Sequence, residues 1–480
     1  MGAWLAGAAS ADSFDAVRLQ IEQARVEQGI PSLAVAVTRR GKIVWEEGFG
    51  WADREHQVRA TQHTMYSIAS ISKPITTTAL MALVQAGKID LEGPVNDYLG
   101  AAKLRARVGD ARDATVRRVA NHTSGLPMHV QFFFADEPER APSRDETILR
   151  YGQLLMLPGE RHNYSNLGYG VLDAVITHVS GMPYADFVRQ EVFVKLGMTH
   201  SSVGIEPRLA SYQAIRYDTS GAPLPDYDFD HPGASAVYAS AHDLARFAMF
   251  HLKDHLADQR AILSDASIDE MQRATTNTSK FGPGYGYGVG WSTQERADGY
   301  RVVMHTGSMP GVSASLSFVP TEDVALVLLS NSRASLEPIR EAIMKKLLPR
   351  WNTPPKPAPQ PPIAFTATPE LSGQWRGTLQ TYAGELPLEL EIRPDGDVHL
   401  RLAQQPAVLL NEVSFKDGLL VGKAQGDLGI ADANRHRSYA LYFELKLRGD
   451  VLNGAVAAVD LGPRTLALAQ WAEVRRVNSE

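Results

Sequence analysis

Six of the nine positions from Pro354 to Pro362 are proline. Proline fixes φ and has no N–H, so such a run enters neither a helix nor a central strand. It offers nothing to pack and favours extended polyproline II, the signature of a linker. A 480-residue chain is too long for one ordinary domain, and a linker at this point suggests two or three. The expectation is a first domain over 1–350, a linker over 351–365 and a second domain over 366–480.

The two sides of the linker differ in pattern. On the first side, "DSFDAVRLQIEQARVEQG" has helical spacing, with Asp12 or Ser13 as N-cap and Gly29 as C-cap. "SLAVAVTRRGKIVWEEGFGWAD" reads as two strands around a tight turn at Arg40–Gly41. A helix over 74–87 ends at Gly87, and residues 105–300 mix helices with long loops. "YRVVMHTG", "SASLSFVPTED" and "VALVLLSNS" follow as three strands, and "LEPIREAIMKKLL" as an amphipathic helix. Strands at both ends with helices between imply an α+β domain whose sheet is closed by its own termini. On the second side, short alternating runs recur around turns such as PDGD. That pattern means a small antiparallel barrel, and Gly373 and Trp375 mark a lipocalin-like opening strand.

Composition removes several functions. The 44% hydrophobic content supports a large core. The net charge is −6 without long like-charge runs, which gives nucleic acid no basic face. There is no cysteine, which removes disulfides, thiolate catalysis and cysteine-bound metal. No apolar run reaches the ~20 residues of a membrane span. "MGAWLAGAASADS" lacks a basic start but ends in an A-x-A at Ala9–Ala11. It reads as a frayed tail or as a signal-peptide remnant over 1–11. A periplasmic or secreted location is therefore expected, with a cytoplasmic one open. No oligomeric state can be read.

"YSIASISKPITTTALMALVQAGK" places Ser70 and Lys73 three apart at a helix start. A plain capped helix would also use a serine there, with Pro74 in the first turn. The chemical reading is that Lys73, on the same face as Ser70, takes the hydroxyl proton. That requires its pKa to fall, by burial or a neighbouring cation. Tyr164-Ser165-Asn166 supplies a phenol able to relay a proton and an amide able to hold Lys73 and a carbonyl. His305-Thr306-Gly307 reads as a strand, where Gly307 and Ser308 let a substrate backbone lie alongside. The N–H groups of Ser70 and Ser308 would then receive one carbonyl oxygen.

Ser-x-x-Lys, Tyr-x-Asn and His-Thr-Gly, in this order, resemble the serine β-lactamase-related superfamily. It includes class C β-lactamases, penicillin-binding proteins, D-aminopeptidases and family VIII esterases. "GKIDLEGPVNDYL", "NHTSGLP", "GASAVYASAHDLARF" and "YGYGVGW" add to the resemblance, which runs from about Gly29 to about Arg350. It implies Ser70 as nucleophile, Lys73 and Tyr164 sharing its proton, and Asn166 orienting Lys73 and the acyl group. His305 stands where many relatives have lysine. A class A Ser-Asp-Asn is absent, Glu160 reads as a surface-loop residue, and no G-x-S-x-G occurs.

The expected function is a serine hydrolase acting on a small ester or peptide, as an esterase or D-amino-acid peptidase, with no cofactor and no metal. A neutral His305 argues against a dedicated β-lactamase. A β-lactamase, a peptide-ligating or cyclising acyltransferase, and a non-catalytic penicillin-binding-type receptor are the alternatives.

Overall fold

The computed structural model describes residues 14–278, 284–352, 365–435, 439–462 and 464–477. The signal-like segment 1–11, the caps Asp12 and Ser13, and residues 353–364 of the expected linker lie outside them. The chain divides into two compact units. One comprises Met1–Ala82, Ala185–Pro225 and Ser235–Pro354; the other comprises Leu83–Tyr184, Asp226–Ala234 and Pro355–Glu480. No described helix is long and apolar enough to cross a membrane.

The first unit is built on an antiparallel sheet. Helix α1 (Asp15–Gln28) ends at Gly29, whose φ of 64° is the left-handed C-cap expected there. Strands β1 (Ser32–Arg39) and β2 (Lys42–Asp53) form a hairpin. Its turn residues Arg40 and Gly41 both have positive φ, matching the strand twist. Helix α2 (Ser72–Gln85) and helix α3 (Ala241–His251) come next. Then β3 (Ser292–Glu295), β4 (Arg301–Met309), β5 (Val312–Val319) and β6 (Val324–Ser330) run as successive antiparallel neighbours. Strand β6 pairs with β1, so the two ends of this region close the sheet.

Both faces of the sheet centre are covered, which explains the unbroken apolar run of β6. Val17 and Ile21 of α1 join Ile339, Ile343 and Met344 of α4 (Glu337–Leu347) against Leu33, Val35, Leu326 and Leu328. On the other side Phe247 of α3 stacks on Trp291, which meets Phe318 of β5 edge-on.

The second unit contains the helices Arg144–Tyr151 and Asn166–Ser180 and a nearly closed antiparallel barrel. The barrel strands are β7 (Gly373–Thr381), β8 (Gly384–Ile392), β9 (Val398–Leu402), β10 (Val408–Leu409), β11 (Asn411–Lys416), β12 (Leu419–Ala424), β13 (Ala440–Arg448), β14 (Val451–Asp460) and β15 (Leu466–Arg476). The sheet runs β10-β9-β8-β7-β15-β14-β13-β12-β11. Its two edge strands are separated by Leu410 alone. Alternating burial along β8, β12 and β13 puts one face inside, as the period-2 pattern required.

Strand β15 departs from that alternation and is buried on both faces over most of its length. Outside the barrel Trp471 and Ala469 pack with Leu155. The two-residue strand His129–Val130 pairs with Leu468 and Ala467, beyond the point where β7 leaves β15. Polar anchors join the barrel to residues 136–161. Arg464 binds Asp136 and Glu137, Asp432 accepts from Arg150 and Tyr151, and Arg161 pairs with Glu444.

Candidate active site

In the first unit the chain enters α2 through a single 3₁₀ turn, Ala69–Ile71. Ala69 has φ of 48°, a conformation that non-glycine residues adopt only when their surroundings impose it. Here they do. The Ser72 hydroxyl donates to Ala69 O at 2.7 Å and accepts from Val237 N at 3.0 Å. Ile68 N donates to Val237 O at 3.0 Å. On the other side lies Gly307 of β4, where a Cβ would overlap the carbonyl oxygen of Ile68. Strand β4 pairs with β3 only as far as Met304. Past it, the same strand comes up against the Ile68–Ala69 turn. Glycine at 307 permits that approach.

The turn presents Ser70 half-buried, with Lys73 wholly buried behind it. Lys73 Nζ lies 3.0 Å from Ser70 Oγ. Burial holds the Lys73 amine well below its ordinary pKa of 10.5, because a charge there has lost its water. This is the condition under which a lysine serves as a base.

His305 projects from β4 into the same interior. Burial, followed by the Lys73 charge, pushes its imidazole down to about 3, against a smaller upward pull from Thr306. Its Nδ1 lies 2.8 Å from Thr306 O, which can only accept, so Nδ1 carries the hydrogen. Nε2, 2.9 Å from the Tyr287 hydroxyl, is then the acceptor. His305 is thus a neutral imidazole of fixed tautomer. Thr306 and Ser308 alternate outward from it, on either side of buried Gly307.

Tyr164 and Asn166 lie in the second unit. Ser165 caps the helix Asn166–Ser180, accepting from Gly168 N at 3.0 Å. Asn166 begins that helix, and its Nδ2 donates to His129 O at 2.8 Å. The half-buried Tyr164 ring lies 4.3 Å from the ring of His122. His122 is buried, with φ of 63°, and grips the Tyr164 loop from both sides. Its carbonyl accepts from Asn163 N at 2.7 Å and its Nδ1 from Ser165 N at 3.1 Å. Glu160 is engaged elsewhere, bonded to Arg448 of the barrel at 2.7 Å.

Five of the participants in these arrangements, Tyr287, His122, His129, Asp230 and His231, carried no role in the sequence. Tyr287 and His122 sat in "YGYGVGW" and "NHTSGLP", stretches that carried a resemblance without a role. Asp230 carried no signal. Its carboxylate accepts from His129 Nε2 at 2.7 Å and from His231 Nδ1 at 2.6 Å. Burial alone would raise its pKa; the His129 charge and the hydrogen bonds from both imidazoles hold it below the usual carboxylate range. Among the described residues, His129, Asp230 and His231 offer donor atoms within 4.8 Å of one another and could hold a metal ion. Their short contacts are those of N–H groups directed at carboxylate oxygens.

The Beta-lactamase family model matches residues 18–348. Penicillin-binding protein 4* of Bacillus subtilis is 28% identical over 332 residues, covering 65% of this chain and 70% of that protein. Two solved structures align along nearly the whole chain and show the same fold. SurE with D-Leu covers 98% of this chain and 100% of its own, at 22% identity and a TM-score of 0.64. The octameric penicillin-binding protein homologue from Pyrococcus abyssi covers 95% and 99%, at 20% identity and a TM-score of 0.58. A match that spans most of the chain and contains the Ser70–Lys73 pair and the His305–Ser308 strand settles the relationship: the chain belongs to the Beta-lactamase family.

Proposed function

We propose that the chain is a serine hydrolase that cleaves ester or amide bonds through an acyl-enzyme on Ser70. One observation carries this reading: a fully buried amine, depressed in pKa, hydrogen-bonded to a more accessible serine hydroxyl. Burial disfavours the charged form of that amine, which leaves a lone pair able to take the hydroxyl proton.

In this reading Lys73 and Tyr164 share the proton released as Ser70 Oγ bonds to the substrate carbonyl carbon. The carbonyl π pair moves to oxygen, where the N–H groups of Ser70 and Ser308 receive it. Such donors lower the barrier by roughly 3–4 kcal/mol. When the pair returns, the bond to the leaving group breaks, and Tyr164 protonates the departing alkoxide or amine. Water then gives a proton to the same phenol while attacking the acyl carbon, and Ser70 Oγ leaves and is reprotonated. Asn166 orients Lys73 and the acyl group. The edge at His305–Ser308 receives the substrate backbone. Side chains supply every proton transfer in this scheme.

The neutral His305 favours uncharged acyl groups. A lysine there would anchor a substrate carboxylate, whereas a buried imidazole with a pKa near 3 carries no charge at pH 7. Neutral esters and D-amino-acyl amides are therefore favoured over β-lactams. D-Leu in the SurE structure places D-amino acids in the assay.

Steady-state turnover of p-nitrophenyl butyrate, D-Ala p-nitroanilide and nitrocefin tests this. The expected order places the ester or the D-Ala amide first, and Ser70→Ala abolishes turnover. Nitrocefin as the best substrate would overturn the substrate assignment. Turnover surviving in Ser70→Ala would overturn the nucleophile. A single stoichiometric release without turnover would make the protein a receptor.

A further inference from the structure

We propose that Asp230 is a positioning residue for Asn166, acting through His129, and that the barrel sets the same amide through the strand to which His129 belongs. This rests on the role given to Asn166 above.

The partner of the Asn166 side chain is a main-chain atom, His129 O. The position of that oxygen is fixed by whatever holds the strand His129–Val130. This strand is two residues long, too short to hold itself. Among the described residues, a strand pairing and a side-chain hydrogen bond restrain it. The first is its pairing with Leu468 and Ala467 of β15, which makes it a strand added to the barrel. The second is the hydrogen bond from the His129 ring to Asp230. The Tyr151 ring lies 4.8 Å from the His129 ring, and its hydroxyl donates to Asp432 of the barrel at 2.6 Å.

Asp230 is also tied to the helix that carries Asn166. Its other oxygen accepts from His231. His231 packs so closely on Gly170 that a Cβ there would lie 3.0 Å from its own Cβ. Two residues on, Gly233 N donates to Asp173 Oδ2 of the same helix at 2.7 Å. One carboxylate therefore joins the helix bearing the amide to the strand receiving it. Leaving such a buried group half-satisfied is expensive, so Asp230, His129 and His231 move as a unit. An N–H lies between each imidazole and the carboxylate, whereas a metal cage would turn lone pairs towards one common point.

A double-mutant cycle in the full chain tests this, using p-nitrophenyl butyrate after Ser70→Ala has been shown to abolish its turnover. Asp230→Asn should lower kcat about ten- to a hundredfold with KM little changed, since a misplacement near 1 Å costs that much. In an Asn166→Ala background the same substitution should cost nothing more. Independent, multiplying losses would show a merely structural role and overturn the proposal. So would an unchanged kcat, or a divalent metal found at one per chain and lost in Asp230→Asn. If Asp230→Asn fails to fold, His129→Gln, which keeps a donor for Asp230, should retain kcat while His129→Leu loses it; equal values overturn the proposal. If the parent shows no Ser70-dependent turnover, the functional reading fails by itself. The positional claim is then read from the Asn166 side-chain amide by NMR: it must shift in Asp230→Asn, and an unmoved resonance overturns it.

Discussion

Ser70 with Lys73, and Tyr164 with Asn166, are held in place by opposite means. The first pair is local. Three residues of one helical turn set it, and burial tunes the amine. The second pair is positioned by distant chain. His122 grips Tyr164, while Asn166 donates to a strand that the barrel, some 340 residues further on, pairs with. A local arrangement survives rearrangement elsewhere. A remote one makes its residues dependent on the packing of another part of the molecule, here the barrel and the His129–Asp230–His231 group.

The largest expected effect breaks the local side. Lys73→Met should lower kcat/KM for a neutral ester roughly a thousandfold, measured by initial rates. It should also raise the melting temperature at pH 7. A lysine whose folded pKa lies below its unfolded one binds fewer protons when folded, so wild type loses stability below pH ~10.4 and regains it as pH rises towards that value. The stability gap between the variant and wild type should therefore shrink from pH 7 to pH 10. Lost activity with a lower melting temperature would mean that the amine is structural.

Gly307→Ala should rank second. Its Cβ would overlap Ile68 O, a main-chain atom that cannot swing aside, so β4 and the Ala69–Ser70 turn must part. About a hundredfold loss of kcat/KM is expected, with destabilisation of about 1–3 kcal/mol by urea denaturation. Near-wild-type kinetics would show that β4 is not needed beside Ser70.

The smallest effect sharpens the remote side. His122→Asn keeps a residue tolerant of positive φ but removes the ring beside Tyr164. About a tenfold fall in kcat is expected, with destabilisation of about 1–3 kcal/mol where Ser165 N loses its imidazole acceptor. A fall in stability with kcat intact would limit His122 to folding.

What could be read from sequence follows the same division. The Arg40–Gly41 turn, the strands of the sheet, the α2 helix and the alternating barrel strands announce themselves through short-range periodicity and turn residues. Ser70 and Lys73 did so through helical spacing. The state of His305 was half legible: its neutrality followed from its type, but its partner Tyr287 lies 18 residues away on another strand. The strain at Ala69 had no signal, because alanine is not a residue that marks positive φ. His129 and Asp230 are 101 residues apart, and a strand of two residues is too short to show alternation, so neither the cluster nor its bond to the barrel could be foreseen.

Trapping an acyl group on Ser70 is the most direct measurement. Protein quenched in acid during turnover of p-nitrophenyl butyrate should carry one butyryl group on the peptide containing Ser70, seen by mass spectrometry. Ser70→Ala should carry none, and Lys73→Met should accumulate it far more slowly. A butyryl group on another residue, or turnover with none trapped on Ser70 even in a variant slowed in deacylation, would contradict acyl transfer through this serine.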